Sequence, residues 1–204
     1  MTFLEKSISC AANVTLCLSA LHASLQLFKD HRAPAVGFFL IALSSALSLI
    51  PVPGPVYLSV QNDLEWAGET LAPVLATFGF LWLSEDHSTA HLLLIGSSLL
   101  PAFADWLSQD GLVLMSRCVA LSSLSCALTV CVFAGNVPGL VGGVALCLPQ
   151  LLAPRVRAKH TIFIGSQNAT GGLQRSLIQG SMALGCWVTE KALCKYLSDL
   201  KGWD

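Results

Sequence analysis

Two carboxylates and two histidines lie within one short stretch of this sequence. Glu85 and Asp86 are followed directly by His87, and His91 comes four residues later. On a helix, residues four apart share one face. Two imidazoles and a carboxylate supply most of the ligands of a divalent-metal site, although another segment would have to complete it. The alternative is a solvated turn with His91 at a membrane interface, in which case no cofactor is expected.

Two other acidic residues lie beside or inside apolar segments. Asp105 follows the apolar residues 101–104, and Glu190 lies within the last apolar stretch of the chain. A buried carboxyl group can act as a general acid or base. We therefore name Asp105 and Glu190 as candidate catalytic residues, with His91 or His22 assisting.

A third acidic pattern is the pair Glu65 and Glu69, which are also four residues apart. Carboxylates at membrane depth can relay protons or cations. Together with Glu85 they suggest a small ion or proton pathway. The alternative is that both lie in the first turns of a helix, where negative charge is stabilising.

The eight cysteines do not form a recognisable site. No C-x-x-C pair occurs, so the common metal-binding and redox spacings are absent. Most of the cysteines fall in apolar segments, where a thiol behaves as a small hydrophobic group. Small residues allow helices to pack closely in lipid. We expect this role for six glycines, namely Gly135, Gly139, Gly142, Gly143, Gly180 and Gly185.

The composition places these residues in a membrane. Of 204 residues, 54% are apolar and only 11% are charged. Soluble domains usually carry about 25% charged residues, so this chain lacks the charge to cover a water-exposed surface. The net charge of -1 provides no basic field for nucleic acid, which is not expected as a partner. The composition predicts an all-α, polytopic transmembrane helix bundle whose partner is the lipid bilayer.

Gaps between charged residues and the position of prolines predict where the chain crosses the membrane. A span needs roughly 20 apolar residues. Lys6 and Lys29 enclose 22 uncharged residues, whereas the prolines of PVPGP interrupt the next gap. We predict a single membrane domain over residues 1–204 with six spans, at 7–28, 33–50, 64–84, 87–104, 112–134 and 137–153.

A seventh span at residues 176–197 is left open. Six spans would place nine basic residues on the side of the N-terminus and only Lys29 and Arg32 on the other side. Seven spans would divide the same residues six against five. Since positive charge is concentrated in cytosolic loops, the first division favours six spans with the N-terminus in the cytosol. The uniformly apolar stretch from Leu177 to Trp187 favours the seventh.

Four stretches together resemble the transmembrane protein 276 family of small multi-pass vertebrate proteins. They are LHASLQLFKDHRAPAVGFFL, SEDHSTAHLLLIGSSL, VFAGNVPGLVGG and ALGCWVTEKAL. The resemblance implies a membrane protein and no particular chemistry. A weaker resemblance links ADWLSQDG and WVTEKAL to the lysoplasmalogenase-like membrane hydrolases, but Ala104 stands where those proteins have glycine, and Glu190 where they have aspartate.

The main functional hypothesis is a non-enzymatic membrane protein of the endomembrane system that packs against lipids or a membrane-protein partner. Its basis is the small number of polar groups within the spans, since transporters and hydrolases usually have more. The alternatives are a lipid hydrolase using Asp105 and Glu190, and the ion or proton pathway.

Overall fold

The computed structural model describes residues 3–50, 54–104, 106–152 and 169–201. These residues form helices and short turns and contain no strand, which confirms the all-α prediction. In chain order the helices are α1 Phe3–Leu27, α2 Arg32–Leu49, α3 Pro55–Leu83, α4 His87–Phe103, α5 Gln109–Phe133, α6 Val137–Leu152 and α7 Ala169–Lys201.

Local sequence signals account for several helix ends. Pro55 occupies the first turn of α3, where its missing amide hydrogen costs nothing. The Asp86 side chain accepts a hydrogen bond from the Thr89 amide and caps α4, and Ser108 caps α5 in the same way. Gly135 follows α5 with a φ of 64°, a left-handed conformation that glycine adopts without strain.

The helices pack as a bundle in which the long helix α3 is central. It contacts α2, α4, α5, α6 and α7, while α7 lies between α1 and α6. Successive contacts show that α1 and α7 run parallel: Asn13 meets Gln179, and farther along His22 meets Glu190. The last helix therefore lies along the first helix inside the bundle.

Small residues allow the helices to approach closely. A Cβ atom at Gly37 of α2 would lie 3.0 Å from the Ala72 Cα of α3, and one at Gly185 of α7 would lie 3.1 Å from the Leu146 amide of α6. Such contacts are typical of helix packing in lipid. By contrast, Gly135 and Gly180 have open space beside them, so the packing role expected for these two glycines is wrong.

The outer surface of the bundle is strongly apolar. Leu25 and Leu92 are examples of large hydrophobic side chains that remain exposed on it. By length and composition, three helical segments of the described chain could cross a membrane, namely Ser7–Leu27, Arg32–Leu49 and Gln109–Phe133. An apolar exterior of this extent is suited to contact with lipid rather than water.

One expectation about α3 needs correction. Glu65 and Glu69 were expected in the first turns of a helix starting near residue 64. Because Pro55 already begins α3, Glu69 lies 14 residues from each end of that helix and is 7% exposed. The stabilising effect of a helix N-terminus extends only over the first turn, so it does not explain this carboxylate.

Candidate functional site

A buried carboxylate and a half-exposed imidazole meet between α1 and α7. Glu190 is only 2% exposed, and its Oε2 lies 3.6 Å from His22 Nδ1. The other oxygen, Oε1, accepts a hydrogen bond of 3.2 Å from Lys191 Nζ. A buried carboxylate needs such partners, because an isolated charge in an apolar environment is very costly. Glu190 therefore anchors a polar cluster of three side chains, His22, Glu190 and Lys191.

An open cavity of about 670 Å³ lies along the outer side of α1 beside this cluster. The lining is mostly apolar but includes the Ser19 hydroxyl and the His22 ring, and Trp187 supplies the wall from α7. Ser19 Oγ donates a hydrogen bond of 2.6 Å to the Ala183 carbonyl, which joins the two helices in the middle of the cavity. We call this feature the α1–α7 groove.

A second polar region lies deeper in the bundle, among α1, α2, α3 and α7. Gln179 Nε2 donates a hydrogen bond of 2.6 Å to Asn13 Oδ1. Nearby, Arg175 Nη2 contacts both carboxylate oxygens of Glu65 at 3.1 and 3.4 Å. A small cavity is lined by Glu65, Glu69 and Gln179. This region brings together the two glutamates that the sequence singled out.

The proposed metal-binding histidines lie at the turn between α3 and α4. The His87 ring packs against Trp82 with ring centroids 4.3 Å apart, and His91 Nδ1 contacts the His87 carbonyl oxygen. Within the described part of the chain, no group of three or more potential metal ligands lies together. A metal at His87 and His91 is untested and stays a prediction.

The two acidic residues at that turn, Glu85 and Asp86, have different surroundings. Hydrogen bonds from the Thr89 side chain and amide lower the pKa of the Asp86 carboxyl. Glu85 has a φ of 64° and is exposed in the turn after α3. Along α3, the 14 residues from Glu69 to Leu83 cover about 21 Å. Glu85 is therefore remote from the cavity at Glu69 and does not extend it into a pathway.

The candidate catalytic pair is only partly described. Asp105 lies outside the described residues, so its pairing with Glu190 stays a prediction. Of the two histidines considered as helpers, the structure brings His22 to Glu190. His91 instead lies among Phe78, Trp82 and His87 at the α3–α4 turn.

All eight cysteines are free thiols, as the absence of paired spacings indicated. Cys131, Cys147 and Cys186 are buried, which fits the expected role of a small hydrophobic group. Cys10, Cys118 and Cys194 are exposed on the bundle.

Sequence reasoning did not single out Asn13 and Gln179 as a pair. They are 166 residues apart, and each is one polar residue within an apolar segment. The only available signal was that polarity itself, because an amide inside a membrane helix must find a hydrogen-bond partner.

A bundle of apolar helices with paired polar groups between them defines a multi-pass α-helical integral membrane protein. Curated relatives agree with this class. The chain is 26% identical to transmembrane protein 276 of Homo sapiens over 185 residues, covering 89% of each protein. It is 26% identical to the Mus musculus protein over 89% of each chain, and 28% identical to that of Bos taurus over 188 residues and 91% of each.

This similarity confirms the resemblance to the transmembrane protein 276 family that the sequence indicated. No protein-family model matches the chain, and no solved structure matches it.

Proposed function

We propose that this protein is a non-enzymatic membrane protein that binds one phospholipid in the α1–α7 groove. The observation that carries the proposal is the position of His22, which lines one part of an otherwise mostly apolar groove and contacts Glu190, the partner of Lys191. An amphipathic ligand needs both surfaces, since apolar area provides binding energy while a few polar groups fix its orientation.

The direction of the groove supports a lipid as the ligand. His22 lies five residues before the end of α1, about 7.5 Å along the helix axis. Thr15 and Leu18 line the groove farther from that end. A phospholipid placed with its headgroup beside His22 and its acyl chain toward Thr15 would have the orientation of the lipids in the adjoining leaflet.

The exposed groups of the cluster favour a phosphate. The Lys191 ammonium is more than half exposed and cationic, and the His22 ring is also about half exposed. Both can donate hydrogen bonds to phosphate oxygens. Glu190 lies behind them, with its Oε2 3.6 Å from His22 Nδ1.

The proposal is tested by the lipid that stays bound during mild detergent purification, measured by native mass spectrometry. His22→Leu should lower the bound phospholipid at least about fivefold, because the headgroup contact is lost. His91→Leu is the matched control, since it removes an exposed histidine far from the groove, and it should retain wild-type lipid. Equal lipid content in the two variants would refute phospholipid binding at this groove.

A lipid hydrolase is a second candidate, and the contact between Glu190 and His22 Nδ1 is what favours it. A carboxylate beside an imidazole is a common part of acid–base machinery, and Ser19 lines the same groove as His22. In cells lacking the protein, a defined lipid class should then accumulate. Wild type should reverse the change, whereas Glu190→Gln with Asp105→Asn should not. Unchanged lipid profiles would exclude this candidate.

For the topology, we propose that all seven helices cross an endomembrane, with the N-terminus in the cytosol. Support comes from the parallel contacts between α1 and α7, because residues 13–22 lie beside residues 179–190. A helix that accompanies a membrane span over this length has to share its depth. The basic residues near the end of α7 would then lie opposite to the N-terminus.

A further inference from the structure

The small cavity among α1, α2, α3 and α7 is lined mostly by oxygen-bearing side chains. Its volume is about 10 Å³, enough for one particle of the size of a water molecule. The polar lining residues are Glu65, Glu69, Ser44, Ser45 and Gln179, and the apolar ones are Leu16, Ile41 and Met182. So small a space, with several oxygen-bearing side chains around it, is suited to a single ion or water molecule.

Gln179 presents an acceptor to this cavity. The side chain is 3% exposed, and its Nε2 is held by the hydrogen bond to Asn13 Oδ1. That bond directs Oε1 away from Asn13, and Oε1 has no hydrogen-bond partner among the described residues. Leaving a buried acceptor unsatisfied costs free energy. A cation in the cavity would satisfy it.

The two glutamates supply negative charge at membrane depth. Glu69 lies about 21 Å along the axis from each end of α3, which places it near the middle of that helix. Glu65 is one turn away and shares its charge with Arg175. Ionisable groups at such positions commonly bind ions or protons.

We propose that this cavity binds one small monovalent cation of the size of Na⁺, coordinated by Glu69, Glu65 and Gln179 Oε1. The ligands are carboxylate and amide oxygens, which hard cations prefer, and the hydroxyl-bearing Ser45 also lines the cavity. Mg²⁺ would keep several waters, and the cavity has no room for them. Because Arg175 already takes up part of the Glu65 charge, a monovalent ion is favoured over Ca²⁺. The cation site is independent of the proposed lipid groove.

The test is the thermal stability of the purified full-length protein in detergent, measured against NaCl at constant ionic strength with choline chloride as the replacement salt. Bound ligand stabilises the folded state in a saturable way. At a Na⁺ concentration about 100 times Kd, Tm should rise by roughly 5–10 °C. KCl should have a much smaller effect, because K⁺ forms longer bonds to oxygen ligands than Na⁺ does and would push the lining side chains apart.

Three variants locate the site. Glu69→Gln keeps the side-chain shape, removes the charge and should abolish the Na⁺-dependent rise. Glu85→Gln removes an exposed carboxylate at the far end of α3 and should leave the rise unchanged. Ser45→Ala is a milder change that tests the site if Glu69→Gln does not fold. It should weaken Na⁺ binding about tenfold.

Any one of the following three results would overturn the proposal. If wild-type Tm does not depend on Na⁺, the cavity does not bind the cation. If it responds to pH or Ca²⁺ alone, the cavity binds a proton or a divalent ion instead. An equal Na⁺ response in wild type and Glu69→Gln would place the binding elsewhere. None of these measurements depends on lipid retention, so the two proposals can fail separately.

Discussion

Gly142 of α6 lies directly against Thr189 of α7. A Cβ atom at position 142 would contact the Thr189 hydroxyl and would lie 3.0 Å from the Thr189 amide nitrogen. Thr189 is completely buried, so it has no free space into which it could move. The glycine therefore sets the distance between these two helices.

Gly142→Ala should destabilise the protein by about 1–3 kcal/mol, because the added methyl group pushes α6 away from α7. Gly180→Ala is the control, since nothing lies within 4 Å of that position. It should be neutral or up to about 1 kcal/mol stabilising, as alanine is the better helix former. Unfolding in detergent by added denaturant would measure both. Equal effects would contradict the close packing.

The parallel packing of α1 and α7 predicts that the two ends of the chain lie on opposite sides of the membrane. Reporter tags fused to the N-terminus and to the C-terminus should differ in protease protection in sealed vesicles. Protection of both tags, or of neither, would mean an even number of spans and would exclude seven. The distribution of basic residues favours six spans, whereas the helix packing favours seven. The experiment distinguishes these two topologies.

The side-chain amide of Asn136 forms two hydrogen bonds, one within the start of α6 and one to α7. Its Oδ1 accepts a hydrogen bond of 3.1 Å from the Gly139 amide, and Nδ2 donates one of 3.0 Å to the Ala192 carbonyl. Asn136→Ser should retain the cap and lose the contact with Ala192, whereas Asn136→Ala should lose both. We expect the alanine variant to unfold about 1 kcal/mol more easily than the serine variant. Identical stabilities would show that the cap contributes nothing.

The hydrogen bond between Asn13 and Gln179 can be measured with a double-mutant cycle. Asn13→Leu and Gln179→Leu should each destabilise the fold, because each leaves a buried amide without its partner. The coupling energy should be about 0.6–1.7 kcal/mol, the range found for hydrogen bonds between membrane helices. Additive single effects would show that the two side chains do not interact.

Asp86 should make part of the stability depend on acid pH. Hydrogen bonds from Thr89 lower the pKa of this carboxyl in the folded protein. Its contribution is therefore complete above the ordinary carboxyl pKa, about 4, and is lost as the pH falls through the lowered value. Asp86→Asn keeps a capping oxygen without titrating, so its Tm should change less between pH 5 and pH 3. A parallel decline in both proteins would assign the acid sensitivity to other carboxyls.

Helix ends were largely predictable because charges, prolines and caps are local signals. The prolines after α2 indicated its end near residue 50, and α2 ends at Leu49. The start of α3 was predicted nine residues too late, because the prediction rested on uncharged stretches. In the structure the helix continues through Asp63 and begins at Pro55, since a helix can extend beyond its apolar part.

The polar contacts were much less predictable. His22 and Glu190 come from the first and last helices, and no local pattern states that those helices are neighbours. The sequence could show only that each was a polar residue in an apolar segment. Which polar residues meet depends on which helices are neighbours and on how each helix is rotated about its axis. Both are set by packing at positions such as Gly142 and Gly185.

The pairing of the first helix with the last also has a consequence for biogenesis. A ribosome that adds 5–20 residues per second needs roughly 10–30 s to pass from Asn13 to Gln179. During that interval the first helix carries a polar amide into the membrane before its partner has been synthesised. We therefore expect the nascent chain to depend on the insertion machinery until its seventh helix emerges, and chains truncated before that helix to be targets for membrane quality control.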